Sequence, residues 1–273
     1  MATRTWVGAT STTWTTTANW SEGSIPADTD DIVFGEQAVS APDPIDQSSI
    51  DPASLTILEG YNFTFGTSGS AIILGTVTRL DVASGGSLVH LDATVTAAKL
   101  AIGAAQQVLC GGSWATVISS GSGKLDADTA VVDKLYYQGN RVVYGAGTKP
   151  TLISGMGGTL ESSRNLGRVL SSNANSVRTT GTATVDEIQF AGVFNHRSSG
   201  TVTLAVAFPG GVYDPSGGKS HAVTTLYEAA GAKVLDQLAG VAVTITNREK
   251  LGYDLSGSLA GASTTAGVGT FFG

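Results

Sequence analysis

The stretch Val185-Asp-Glu-Ile188-Gln-Phe190-Ala-Gly192-Val193-Phe194 is soon followed by a second of the same kind, Val202-Thr-Leu204-Ala-Val206-Ala-Phe208-Pro-Gly210-Gly211-Val212-Tyr213. In each, an alternating apolar run meets glycine, and a short second apolar run follows. Alternation places every second side chain on one face of a strand. Glycine permits a sharp corner there, because it reaches φ > 0 without steric cost. Strand, corner, strand at a short period describes a chain wound around an apolar bore. The fold expected is all-β: a β-solenoid, a parallel β-helix of about nine or ten short coils.

Working outward, the apolar strand centres Leu100, Val117, Leu135, Leu152, Leu170, Ile188, Leu204, Leu226 and Ile245 fall 16 to 22 residues apart. Before Leu100 the phase is looser, with 25 residues from Leu55 to Leu80 and 20 from Leu80 to Leu100. Three short strands and their corners need roughly 18–25 residues per coil. Leucine-rich repeats have a similar period, but their Asn/Cys-containing consensus is missing. The best helical stretch, Leu226 to Ala239, is interrupted by Gly231 and reads as two strands around that glycine.

Composition agrees. Of 273 residues, 36 are glycine and only 14% are charged, against a typical charged share of about 25%. A net charge of −7 without any Lys/Arg run argues against a nucleic-acid partner, because neutralising phosphates takes basic clusters. The lone Cys110 leaves no internal disulfide and reads as a small buried apolar residue. No stretch approaches the ~20 apolar residues of a membrane span. The first residues lack a signal-peptide apolar region, so the chain is expected to fold in the cytoplasm, with no membrane partner.

Three parts follow from the order of the chain: an N-terminal cap and lead-in over 1–53, coils over 54–250, and a Gly/Ala/Thr-rich C-terminal tail over 251–273. The first part holds Trp6, Trp14 and Trp20. A solenoid needs bulky side chains where its bore would meet water, so these rings are expected to form a structural cap. An aromatic sugar-binding platform is the competing reading. Asp28, Asp30 and Asp31 are read as a solvated turn beside Pro26, since the calcium-loop pattern with its distal Glu is absent. Asn247-Arg248-Glu249-Lys250 marks an edge or exit. Phe271 and Phe272 in the tail are expected to dock on a coil or on another subunit.

Candidate chemistry is sparse. His90, His196 and His221 stand far apart in sequence, without metal-ligand spacing. No nucleophile elbow or complete phosphate loop occurs. Glycosidase-type carboxylate pairs would have to come from Asp126 or Asp128 with Asp133, or from Asp186 with Glu187. The last two are adjacent on a strand and point to opposite faces. No catalytic, cofactor-binding or metal residues are assigned, and the chain is read as a non-enzymatic scaffold.

The segment Thr5-Trp6-Val7-Gly8, Trp14, Ala18-Asn19-Trp20-Ser21, Ile25-Pro26 and Asp30-Asp31-Ile32-Val33-Phe34 is similar to the opening of many β-helical proteins of tailed bacteriophages and some bacterial surface proteins. The glycine-cornered Val/Thr rungs continue that likeness over most of the chain. The resemblance implies a virion structural protein, in first place a head decoration (cement) protein on the capsid surface. It further implies the major capsid protein as partner and a homotrimer as the working form. A receptor-binding or tail-fibre module adhering to cell-surface glycans is the alternative, and a polysaccharide-degrading enzyme a further one.

Overall fold

The structure is a computed structural model describing residues 1–67, 69–83, 88–238 and 240–251, with Gln237 and Leu238 described by backbone alone. Phe271, Phe272 and the corner Gly85-Gly86 lie outside the described residues. The chain winds as a parallel β-solenoid of about 11 turns, and its one described helix is a single 3₁₀ turn at Thr17–Asn19. The only antiparallel strand pair among the described residues joins Gln237–Leu238 to Val241–Leu251. The expected fold class stands, with slightly more turns than expected. The additional turns come from 1–53, where Thr3–Trp6 and Asp31–Phe34 already pair in parallel and hand on to Ser54–Ile57. That segment therefore supplies rungs of the solenoid as well as its cap.

The long ladder is set by one inward column. Ile32, Leu55, Leu80, Ala98, Val117, Leu135, Ile153, Val169, Ile188, Ala205 and Leu226 stand opposite one another in successive rungs, all of them buried. A second column two residues further along each strand includes Val82, Leu100, Ser119, Tyr137, Gly155, Ser171, Phe190 and Ala207. The period read from sequence matches this ladder, but the phase slips by one residue in three coils. Leu152, Leu170 and Leu204 lie on the outer face, while Ile153, Val169 and Ala205 fill the bore. A one-residue shift moves a side chain to the opposite face, and each of these strands carries apolar residues on both faces. Two further positions also shift: Leu100 stands opposite Ser119, and Ile245 opposite Val223.

The decisive stretch folds as its pattern demands. Val185–Phe190 turns into Val193–His196 through Gly192, and Val202–Ala207 turns into Val212–Tyr213 through Gly210. A Cβ on Gly192 would lie 2.1 Å from the Asn175 carbonyl oxygen of the coil before, so only glycine fits. Gly210 has φ +82°, the left-handed region. Around Gly231 the chain forms His221–Ala229 and Lys233–Val234, two strands rather than a helix.

The two described ends of the ladder carry different chemistry. At the first rung Trp6, Trp14 and Trp20 are buried against Phe34, with Trp14 and Trp20 edge to face at 4.9 Å between centroids. The outer edge of Thr3–Trp6 is occupied by bonds from Val7 N–H to the Asn19 carbonyl (2.8 Å) and from Ser21 N–H to the Thr5 carbonyl (2.9 Å). Thr5 N–H donates to the Glu22 carboxylate at 2.8 Å. At the last described rung the inward columns turn charged: Glu228 follows Ala207, then Arg248 and Lys250 follow Leu226 and Glu228. Arg248 bridges Glu228 (2.8 Å) and Asp236 (2.7 Å). Inward charge on an end strand opposes edge-to-edge stacking.

Candidate functional site

The three cap tryptophans are brought together, but as core. Trp6 donates its indole N–H to the Ser40 carbonyl and Trp20 to the Trp14 carbonyl, each at 2.8 Å. A sugar platform needs an exposed ring face, and these rings have exposures of 0 to 2%. Asn19, unassigned from sequence, locks the cap. Its Oδ1 accepts from the N–H groups of Thr10 (3.0 Å) and Ser11 (3.1 Å), and its Nδ2 donates to Ser11 Oγ and the Thr13 carbonyl at 2.8 Å. The nearby acids are spent on structure. Asp30 pairs with Arg4 at 3.0 Å, Asp31 accepts from Ser54 Oγ at 2.5 Å, and Asp28 accepts from Asp51 N–H at 3.0 Å.

His196 and His221, distant in sequence, meet in the bore with ring centroids 4.4 Å apart. His196 is fully buried. Its Nε2–H donates to the Gly200 carbonyl (2.9 Å), which leaves Nδ1 to accept from the Thr179 hydroxyl (2.6 Å). His221 Nδ1–H donates to the Lys219 carbonyl (2.9 Å), and its Nε2 accepts from the Tyr213 hydroxyl. Carbonyl partners fix both tautomers, and both rings are neutral. Burial pushes His196 down to about 4, against an opposing hydrogen bond to Gly200 and with help from His221. Burial also lowers His221. No substrate can reach such a pair, so it stabilises the core. His90 contacts the Thr67 carbonyl in an earlier coil.

Three of the carboxylates considered for hydrolysis, those of Asp126, Asp186 and Glu187, are tied to cations. Asp126 meets Lys124 at 2.5 Å, Asp186 meets Lys149 at 2.5 Å, and Glu187 meets Arg168 at 3.1 Å. The backbone carbonyl of Asp133 accepts from Thr151 N–H at 2.9 Å. A general acid requires a carboxyl raised toward neutrality. The resolved carboxyl shifts run the other way, in Glu22, Asp30, Asp46 and Asp214. For Asp30, burial is outweighed by hydrogen bonds from Arg4, Ala2 and Ala27 and by the Arg4 charge. Among the described residues no group of three or more His, Cys, Asp or Glu is placed to hold a metal ion.

Arg164, also unassigned from sequence, is the least expected of these residues. Its guanidinium is 3% exposed and lies 4.8 Å from the centroid of the Tyr144 ring. It donates to the carbonyls of Ala127 (2.5 Å), Asp128 (2.5 Å), Ala130 (2.6 Å), Gly145 (2.9 Å), Ala146 (3.1 Å) and Thr148 (3.3 Å). These carbonyls belong to the corners of the two preceding coils, so one cation joins three successive corners. All five guanidinium N–H groups have acceptors without any carboxylate. Ser162-Ser163-Arg164-Asn165 reads in sequence as an ordinary polar corner, which hides the role.

What remains for function is the outside. On the long ladder, the outward pairs run Thr116/Ile118, Lys134/Tyr136, Leu152/Ser154, Arg168/Leu170, Glu187/Gln189, Leu204/Val206 and Thr225/Tyr227. Half of the side chains on this face are apolar or aromatic; Ile118 is 50% and Tyr136 39% exposed, whereas Val206 is 4% exposed. A shallow apolar groove flanks it, lined by Leu58, Val82, Leu100 and Ile118. The second ladder presents the opposite chemistry. Its outward positions include Lys124/Asp126, Arg141/Val143, Thr159/Glu161, Ser176/Arg178 and Val193/Asn195. Arg141 meets Glu161 at 3.2 Å, and Asn195 links Asp214 (3.2 Å) to Arg197 (2.6 Å). No family model, no curated protein and no solved structure matches the chain.

Proposed function

We propose that the protein is a structural component of a virion, a head-decoration protein that sits on the capsid surface and stiffens it by bridging coat subunits. It acts as a homo-oligomer and makes or breaks no covalent bond. The observation carrying this reading is the contrast between the two outward faces of one solenoid. The apolar face suits a permanent protein–protein contact, and the charge-laced face suits polar docking on a second protein. The likeness of the opening segment to β-helical phage proteins supports the same reading and supplies the major capsid protein as partner. In this account the face bearing Arg141, Glu161, Arg178 and Arg197 meets the coat.

Heads stripped of decoration provide the test. The purified protein should bind them saturably, raise the temperature at which they rupture, and come off as salt rises, because exposed charge pairs are screened. Arg141→Glu with Arg197→Glu should abolish binding while leaving the solenoid folded. No binding at micromolar concentration, or cleavage of a host polysaccharide by the protein, would overturn the proposal.

A further inference from the structure

We infer that Arg178 is the anchor of the charge-laced face and receives the carboxylate of a coat Asp or Glu, an inference that rests on the capsid-docking reading and deepens it. The chain has eight arginines, and seven of them make a hydrogen bond or an ion pair within the fold. Arg178 makes neither among the described residues. Its side chain is half-buried, and its Nε–H is enclosed without an acceptor. A donor in that state has lost water without a replacement, which is uncommon in a folded chain. The two Nη groups also lack acceptors but are not enclosed, so the outer edge of the guanidinium is the edge left open. That edge carries two parallel N–H groups, spaced to meet the two oxygens of a carboxylate.

The surroundings select the class of anion. Arg178 occupies an outward position on the second ladder, in register with Glu161 of the coil before and Asn195 of the coil after. Glu161 already pairs with Arg141 at 3.2 Å. Arg197 donates from Nε to Asn195 Oδ1 at 2.6 Å, and Asp214 accepts from Asn195 (3.2 Å) and from Ser216 N–H (2.9 Å). Over these rungs Arg141 balances Glu161 and Arg197 balances Asp214, which leaves Arg178 as the uncompensated charge. At ~4.8 Å per rung, Glu161 stands about 5 Å to one side of it and Asp214 about 10 Å to the other. A polyanion laid along this face would meet both carboxylates, and like charges so placed repel. A single carboxylate set between them meets the free cation alone. The site therefore fits an acidic side chain presented by a protein, and not a nucleic acid or a sulfated glycan.

Stripped heads separate this inference from the reading beneath it: wild-type binding tests the reading, and the Arg178 variants test the inference. Arg178→Gln should weaken binding on the order of 10- to 100-fold. Its chemical-denaturation midpoint should equal that of the wild type or exceed it, because the arginine has no partner in the free protein. Arg178→Lys keeps the charge but loses the planar two-donor edge, so it should recover part of the affinity. It also places a primary amine at the site. A water-soluble carbodiimide activates a carboxylate, and the amine displaces the activated oxygen as a urea to form an amide. Mass spectrometry of the treated complex should find that amide between position 178 and a coat Asp or Glu. Wild-type affinity in Arg178→Gln would overturn the inference and leave the docking reading standing. So would a fall in its denaturation midpoint large enough to explain the lost binding, or a cross-link found only to this chain's own Glu161. Wild-type protein that does not bind the heads would remove both.

Discussion

Acid should loosen the C-terminal coils first, through His196. The folded state holds this imidazole neutral at about 4, whereas its ordinary value is 6.5. Between those values the unfolded chain binds more protons than the folded one, so stability rises with pH there. The contribution is complete above pH 6.5, declines as pH falls toward 4, and is flat below. A shift of about 2.5 units at ~1.36 kcal/mol per unit amounts to about 3 kcal/mol, of which about 2 kcal/mol is lost by pH 5. Full burial of the ring leaves little solvent screening to discount. His221 is lowered as well and adds in the same direction. The lowered carboxylates Asp30 and Asp214 act below that window, since their stabilisation is lost only as pH falls beneath the ordinary carboxylate range. Urea titrations at pH 7.5, 6, 5 and 4.5 would measure the slope. His196→Phe fills the bore without a titrating group, so it should be less stable at pH 7.5 yet lose about 2 kcal/mol less than wild type on going to pH 5. Hydrogen exchange at pH 5 should rise first in the strands bearing His196 and His221. Equal pH slopes for wild type and His196→Phe would refute the reasoning.

Arg164→Ala should cost about 3–5 kcal/mol, because it orphans buried carbonyls in two corners. Arg164→Lys should recover only part of this, having three donors where the guanidinium has five; chemical denaturation of both variants checks it. Trp20→Ala should cost about 3–5 kcal/mol and be read as a lower melting temperature, since it opens a cavity among Trp6, Trp14 and Phe34. Gly192→Ala should destabilise by at least 1–3 kcal/mol, because the added methyl meets the Asn175 carbonyl. An unchanged denaturation midpoint would contradict that contact.

The solenoid was legible because its cause is local. Alternation and glycine corners recur in every coil, and each coil repeats the same packing problem. Phase was harder to read. Leu152-Ile153, Val169-Leu170 and Leu204-Ala205 offer apolar residues to both faces, and only the stacked neighbours decide which goes inward. The same ambiguity hid the apolar outer face, because Leu152, Leu170 and Leu204 had been counted as core. Tryptophans gathered at one end announced a packed cluster, whereas Asn19 and Arg164 gave no local signal. Their roles depend on carbonyls and N–H groups that converge only after the corners stack. The His196–His221 contact is also a product of winding, since 25 positions separate the two residues and one full coil lies between them.

The most direct test of the account is a cryo-electron microscopy map of the particle that carries the protein. About 11 turns at ~4.8 Å each predict a rod about 50 Å long. It should lie on the outer capsid surface across a boundary between coat subunits, with the Arg141–Glu161 face against the coat. Density for the solenoid confined to the tail, or seated on the head through the Ile118–Leu204 face, would contradict it.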